Sequence, residues 1–325
     1  MPPSTNPVDI SVVIVAWNAK HYLELCLESL ADAPPRRNME VLVVDNASAD
    51  GSIEMIETKF PWVKLIKNSE NLGFSRGNNV GIRQCQGRYI ALVNPDVIVF
   101  PGCLDELADF LDQNTKVANV GPRVFNPDMT RQSTCRQFPT LWNNFCSATR
   151  LESIFKGSRF FAGEHMFYFL HDRTLAVDVI VGCFSMIRRE AFDEVGLLDE
   201  DLFMYGDDVD WCRRARNAGW QVVFYPNARA IHDRGKTTAP FPVRFAVAQQ
   251  RSVLHYWTKH HTFFGVLGIR SIILFHHLLR YVIAAISSLT HSQQKSQNEV
   301  RKRVSSACLR ELLYRTHRAM GKAAS

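Results

Sequence analysis

Four aspartates and one histidine carry the chemistry this sequence can offer: Asp45, Asp96, the adjacent pair Asp207-Asp208, and His232. Each sits where a hydrophobic run stops or a helical pattern starts, so one cleft can collect them. Carboxylates joined by one imidazole can hold a hard divalent cation through oxygen, with the ring nitrogen completing the shell. A carboxylate left over can serve as a general base. Crowded acids also raise one another's pKa, which helps one of them take up a proton near neutral pH. Simpler accounts compete at both ends. Asn94-Pro95-Asp96 is made of turn-forming residues, and acids in the first turn of a helix offset its dipole.

The elements that must position these groups are legible as a strand and helix alternation. Ile10–Ala16 is an apolar, β-branched run followed by Trp17-Asn18 and by Leu23, Leu27 and Leu30 at helical spacing. The form repeats with strand 39–45, loop 46–51 and helix 52–59. A third unit has strand 63–67, loop 68–74 and a helix from about 75 to 84. A fourth has strand Tyr89–Val93 and Leu104, Leu107 and Leu111 on a helix. This predicts a doubly wound, mostly parallel α/β sheet, with ligands beyond the carboxyl ends of its strands. The segment 122–173 shows no period and reads equally as a cover over a site or as peripheral packing. Strands then follow at 176–181 and 183–187, a helix at 189–195, an acid-opened helix closing at Gly219, and two short strands, 221–225 and 228–232.

The first strand–helix turn, AWNAKHY, narrows the nucleotide chemistry. It supplies neither the G-x-G-x-x-G of a dinucleotide fold nor the glycine-lysine pattern of a P-loop. The same lack of a glycine-rich basic loop argues against a nucleotidyltransferase. Hydrophobic (46%) and charged (22%) shares are those of a globular chain rather than a disordered one. The eight cysteines form no C-x-x-C pair, and the N-terminus lacks a signal-peptide pattern. Reduced thiols in a cytoplasmic protein are the expectation.

In order along the chain, SVVIVAWN (11–18), VVDNASADG (43–51), NLGFSRGNN (71–79), YIALVNPD (89–96), VGCFSMIRR (181–189) and DDVDWCR (207–213) resemble the successive motifs of family 2 glycosyltransferases, especially the rhamnosyltransferase-like branch. The resemblance covers about 9–235. It implies a GT-A fold and inverting transfer of a sugar, rhamnose or another hexose, from a nucleoside-diphosphate sugar to a hydroxyl of a saccharide or lipid-linked saccharide acceptor. It places Ala16, Asn18, Asp45, Asn71, Gly73, Arg76 and Asn94 around the nucleotide. Arg76 lies at a helix start where it can meet a phosphate oxygen. The resemblance also assigns Asp96 and His232 to a Mg²⁺ or Mn²⁺ ion, Asp208 to the catalytic base with Asp207 beside it, and Gly182 and Cys183 to a small-residue turn near the acceptor. Two residues depart from the family pattern. Asn94 stands where the fuller metal motif has an acid, and Asp207 replaces a glutamate. The first departure keeps open a catalytically degenerate module that only binds a nucleotide or a partner. Asp210 is expected as an exposed acid paired with Arg214 at i,i+4.

The expected layout is a tail at 1–8, a catalytic domain at 9–235 with a nucleotide half (9–120) and an acceptor half (121–235), an apolar helical extension at 236–290, and a basic helix or tail at 291–325. That last segment carries eight Lys and Arg against two Glu, so the net charge of +6 resides there. The stretch 262–289 is strongly apolar, but Arg270, His276, His277 and Arg280 interrupt it and leave no uncharged run long enough to span a bilayer. Arg270, His277, Arg280, Ser287 and Ser288 fall on one side of a helical wheel, opposite Phe275, Leu278, Leu279, Val282 and Ile286. This suits a helix lying in the membrane interface with the basic tail near anionic lipid, and no nucleic acid is expected as partner. Packing on the catalytic domain or a dimer contact is the alternative.

Overall fold

The computed structural model describes residues 7–233, 241–290 and 295–323. Most of the expected N-terminal tail, and Arg234-Gly235 at the expected end of the catalytic domain, lie outside the described residues. So do 291–294 and the side chains from 315 onward. The chain divides into two compact units, Met1–Phe138 with His165–Thr237, and Pro139–Glu164 with Thr238–Ser325.

The first unit opens with β1 (Ile10–Ala16), α1 (Lys20–Asp32), β2 (Met39–Asp45), α2 (Ser52–Lys59), β3 (Lys64–Lys67), α3 (Gly73–Ile82) and β4 (Tyr89–Val93). It continues with β5 (Val97–Val99), α4 (Cys103–Gln113), β6 (Val117–Phe125) and β7 (Cys135–Arg136). After α5 (Leu141–Ala148) and α6 (Leu151–Ile154) of the second unit come β8 (Leu175–Val177), β9 (Val179–Ile180), β10 (Phe184–Arg188), α7 (Arg189–Val195), α8 (Asp207–Asn217) and β11 (Gln221–His232). The main sheet runs β3-β2-β1-β4-β10-β6-β11-β5, with β8 also on β11. Pairing is parallel from β3 through β4 and between β6 and β11, while β10, β5 and β8 are antiparallel. This is the expected, mostly parallel α/β sheet.

The alternation of β1 explains the two layers. Ile10, Val12, Ile14 and Ala16 face a core shared with Leu23, Leu27 and Leu30 of α1 and Leu104, Leu107 and Leu111 of α4. Val13 faces the opposite core, with Ile82 of α3 and Trp211 of α8. Helices on both faces let β1 pair with β2 and β4 while its side chains leave water, at about 1.5–3 kcal/mol for each large aliphatic side chain buried. Because β1 lies between β2 and β4, the strand order reverses there, opening a crevice at the carboxyl ends.

Several elements differ from the sequence reading: the expected strand 176–181 is two, β8 on β11 and β9 on β7, and β5, β6 and β7 are not foreseen. The expected pair of strands at 221–225 and 228–232 is one 12-residue strand, β11, whose register slips between Tyr225 and Arg229. Pro226 has no N–H to give the ladder, so the strand bulges instead of ending. The unperiodic segment 122–173 opens with the end of β6, and its residues 139–164 group with the C-terminal helices.

In the second unit α5 is closed by a reciprocal cap. Thr140 Oγ1 accepts from the Asn143 backbone N–H (3.1 Å), and Asn143 Oδ1 accepts from that of Thr140 (2.7 Å). The long helices are α9 (Pro242–His260), α10 (Phe263–Thr290) and α11 (Lys295–Ala323). Phe263–Ser288 is long and apolar enough to cross a membrane by length and composition, with mean hydropathy 1.5 and only 17% of its best window buried. This corrects the expectation that no such stretch exists, because the two arginines are too few to outweigh the aliphatic and aromatic residues. The polar side of α10 does not face water throughout. Arg270 Nη2 donates to the Leu312 carbonyl (2.8 Å), and Ser287 Oγ accepts from Asn298 Nδ2 (3.0 Å), both on α11. Phe275, Leu278, Leu279, Val282 and Ile286 on the other side are exposed.

Candidate active site

Three strand ends of the first unit deliver the corner expected to hold the nucleotide. Ala16 and Asp45 are register partners at the ends of β1 and β2. Asp45 is fully buried; its Oδ2 accepts from the Ser48 N–H (2.9 Å), while Oδ1 has no hydrogen-bond partner. A buried, unsatisfied carboxylate oxygen costs free energy unless a ligand donor meets it. Asn18, at φ 48°, accepts from the Ala49 N–H through Oδ1 (2.8 Å), while its own N–H donates to Ser48 Oγ (2.9 Å). These bonds pin the loops after β1 and β2 together. Asn46 then donates to Asn71 Oδ1 (3.4 Å) and to the Gly73 carbonyl (3.0 Å), tying in the third loop. Gly73 opens α3 at φ +81°, where a Cβ would lie 2.3 Å from the Phe203 carbonyl oxygen, so only glycine fits. Arg76 stays exposed with Nε on the Glu200 carbonyl (3.1 Å), and among the described contacts it touches none of the other candidates.

Beyond β4 the chain makes a second corner. β5 pairs antiparallel with β11 so that Val97 lies opposite His232, bringing Asp96 alongside the imidazole. Asp96 Oδ1 and His232 Nε2 are 3.2 Å apart and both side chains are under 10% exposed. The other ring nitrogen, Nδ1, meets Gln132 Oε1 at 2.7 Å, and Gln132 Nε2 donates to the His232 carbonyl (3.1 Å). Gln132 therefore orients the ring with Nε2 toward Asp96. Burial disfavours the charged ring, but Cys183 and Asp96 beside it raise its pKa to about 10. Asn94 has a buried Oδ1 without a partner.

The third corner is the start of α8. Asp207 is 5% exposed and Asp208 half-buried. Burial raises the pKa of both. For Asp207 the Asp208 charge adds to the rise, whereas for Asp208 hydrogen bonds from the Gly182 N–H (3.0 Å) and the Val209 N–H (2.8 Å), with the Arg136 charge, offset part of it. Asp210 pairs with Arg214 Nε (2.9 Å) as expected, but it is fully buried, not exposed, because Arg214 also caps the carbonyls of Val195 and Leu197.

One dipeptide spans the last two corners. Gly182 N–H holds Asp208 Oδ2, and the Cys183 carbonyl accepts from the Asn94 N–H (2.9 Å). A Cβ at Gly182 would come within 3.6 Å of Asp207 Oδ2 and of Asp208 Cβ. Thus Gly182 lies on the acid pair, whereas Cys183 lies at the Asn94 and His232 corner. Sequence reading missed Gln132 and Arg136, which come from the unperiodic segment and carry no local signal. It also passed over Asn46, although that residue sits inside a motif already singled out.

The open sheet thus has its switch point at β1 with a buried acid beside it, and the Gly182-Cys183 backbone links the carboxylate–imidazole pair to the acid pair. Residues 11–196 match the profile described as Glycosyl transferase family 2. The chain belongs to glycosyl transferase family 2, and it is a glycosyltransferase. It is 27% identical over 311 residues, 88% of this chain and 96% of the relative, to the N-acetylglucosaminyl-diphospho-decaprenol L-rhamnosyltransferase of Mycobacterium tuberculosis. It is 25% identical over 232 residues, 70% of each chain, to the dTDP-rhamnosyl transferase RfbF of Shigella flexneri. The fold is shared with the mannosyltransferase PcManGT of Pyrobaculum calidifontis, solved with GDP-Man and Mn²⁺, at TM-score 0.55 and 15% identity over 95% of this chain and 87% of that one.

Proposed function

We propose that this glycosyltransferase inverts the anomeric centre, taking rhamnose or another hexose from a nucleoside diphosphate to a hydroxyl of a saccharide or lipid-linked saccharide at the cytoplasmic face of the membrane, in cell-surface polysaccharide assembly. The observation that supports the reading is the Gly182-Cys183 dipeptide, whose backbone bonds tie Asp208, the proposed base, to the Asn94–Asp96–His232 corner. The rhamnosyltransferase names of the two relatives support the sugar, and the decaprenol-linked name of the first supports the acceptor.

Asp45 would receive the nucleotide base through its unpartnered Oδ1. A divalent cation fits the second corner: a carboxylate oxygen and an imidazole nitrogen lie 3.2 Å apart, with the unpartnered Asn94 Oδ1 on the same loop. Mg²⁺ or Mn²⁺ held by Asp96 and His232 would supply Lewis-acid stabilisation of the departing diphosphate. Asp208 takes the proton of the attacking hydroxyl on the opposite face of the sugar, and its raised pKa suits a base that must bind that proton. One displacement with one base inverts the centre.

Asp208→Asn should lower kcat by about 10²–10⁴-fold, the usual worth of a general base, while nucleoside-diphosphate affinity stays near wild type. The measurement is transfer of radiolabelled sugar from a panel of nucleotide sugars, beside calorimetric binding of the nucleotides. Undiminished turnover removes Asp208 as the base.

A further inference from the structure

The second unit contains a cleft of about 570 Å³ between α9, α10 and α11 that glycosyl transfer leaves unused. Its α11 wall is one helical face. Arg303, Ser306 and Arg310 follow one another at three- and four-residue spacing, with Lys302 one turn before Ser306, so their polar ends line the same side. Lys302 is neutralised by Glu299 one turn earlier, whereas Arg303 and Arg310 make no ion pair among the described residues. Two unpaired guanidinium groups flanking the Ser306 hydroxyl offer the planar donors that phosphate oxygens accept. The facing wall is Tyr281 of α10. Tyr281 is 41% exposed, and next to it round the helix, beginning with Leu278 one turn earlier, runs an apolar stripe in which Leu278, Val282 and Ile286 are each about half exposed. A ligand whose phosphate occupied the cleft would therefore have an apolar surface beside it for its tail.

We infer that this cleft is a receptor for the phosphate headgroup of an anionic lipid, with Arg303 and Arg310 on the phosphate and the α10 stripe against the acyl region. A free inorganic phosphate would leave the stripe uncovered, and a diffuse basic surface would not need the cations on one helical face beside Tyr281. The inference rests on the membrane-surface part of the proposed function.

Its test is co-sedimentation of the full-length protein with phosphatidylcholine vesicles, plain or doped with phosphatidylglycerol or with a polyprenyl diphosphate. Arg303→Ala/Arg310→Ala is compared with Lys295→Ala/Arg301→Ala, which removes the same charge from the same helix outside the cleft. At about fivefold per cation near an anionic surface, the cleft pair should lose on the order of 25-fold in affinity for doped vesicles, and the control pair much less. Loss confined to one dopant supports the receptor and names its lipid. Equal loss in both pairs means a diffuse field and overturns the receptor, as does displacement by inorganic pyrophosphate at the concentration of the lipid phosphate. Wild-type protein that ignores every vesicle overturns the membrane reading itself, and sugar transfer to a soluble acceptor in the same preparation reports separately on the enzyme.

Discussion

Asp207 and Asp208 share one helical turn but not one environment, since Asp208 alone has Gly182 holding it from outside α8. With the base held above the ordinary carboxylate pKa of about 3.9, kcat/KM should fall as pH drops through that raised value, because only ionised Asp208 can accept a proton. A pH profile of initial rates that stays flat down to the ordinary range removes the assignment. The same shift has a cost in stability. A carboxylate with a raised folded-state pKa destabilises the fold above that pKa, and the cost disappears as pH falls below the unfolded value. Asp207→Asn is thus expected to raise the thermal midpoint at neutral pH, read by calorimetry, with no such gain in acid. Asp96→Ala should weaken nucleotide binding chiefly when Mg²⁺ or Mn²⁺ is present, and equal affinities with and without the cation would contradict a metal at that corner. At this scale the acids and His232 were visible in the sequence because each ends a strand or starts a helix. Gln132 and Arg136 were not, since an isolated polar residue in an unperiodic segment looks the same whether or not it touches a site.

Loops that converge on the crevice owe their shape to a few backbone facts. Gly73→Ala combines a left-handed φ with a Cβ 2.3 Å from the Phe203 carbonyl. The backbone strain alone is worth about 1–3 kcal/mol. A urea titration should show at least that loss, together with weaker nucleotide binding as the loop from Asn71 shifts; unchanged stability would contradict the close approach. The four strand–helix repeats were legible because β-branched runs alternate with leucines at helical spacing. Pro226 is an ordinary stop signal and hides the continuity of β11, which resumes beyond its bulge because β6 and β5 both pair with it there. The three-residue β5 is too short to show a period, yet its pairing decides that Asp96 meets His232.

Over the whole molecule the chemistry and the apolar surface belong to different units. Leu278→Asp/Val282→Asp places charge in the exposed stripe of α10 and should move the protein from membrane to soluble fractions without changing turnover on a soluble acceptor, since neither residue lies in the site. An unchanged distribution would favour a protein-packing role for the stripe. The apolar composition of α10 could be read directly, but the partners of its polar side could not. Nor could the joining of 139–164 to this unit be read, although Trp142, Phe145 and Phe160 stay exposed in an aromatic cluster there. Grouping of distant segments is decided by packing, of which a one-dimensional pattern holds no trace.

The bonds on Asn94 bear on why this position can depart from the family pattern. Its N–H goes to Cys183, and its carbonyl accepts from the Val97 N–H and the Cys26 thiol. Residue 94 is held through its main-chain atoms, so an amide or an acid could stand there without moving Asp208. In the proposed site, cation affinity would then be tunable at this position separately from the alignment of the base.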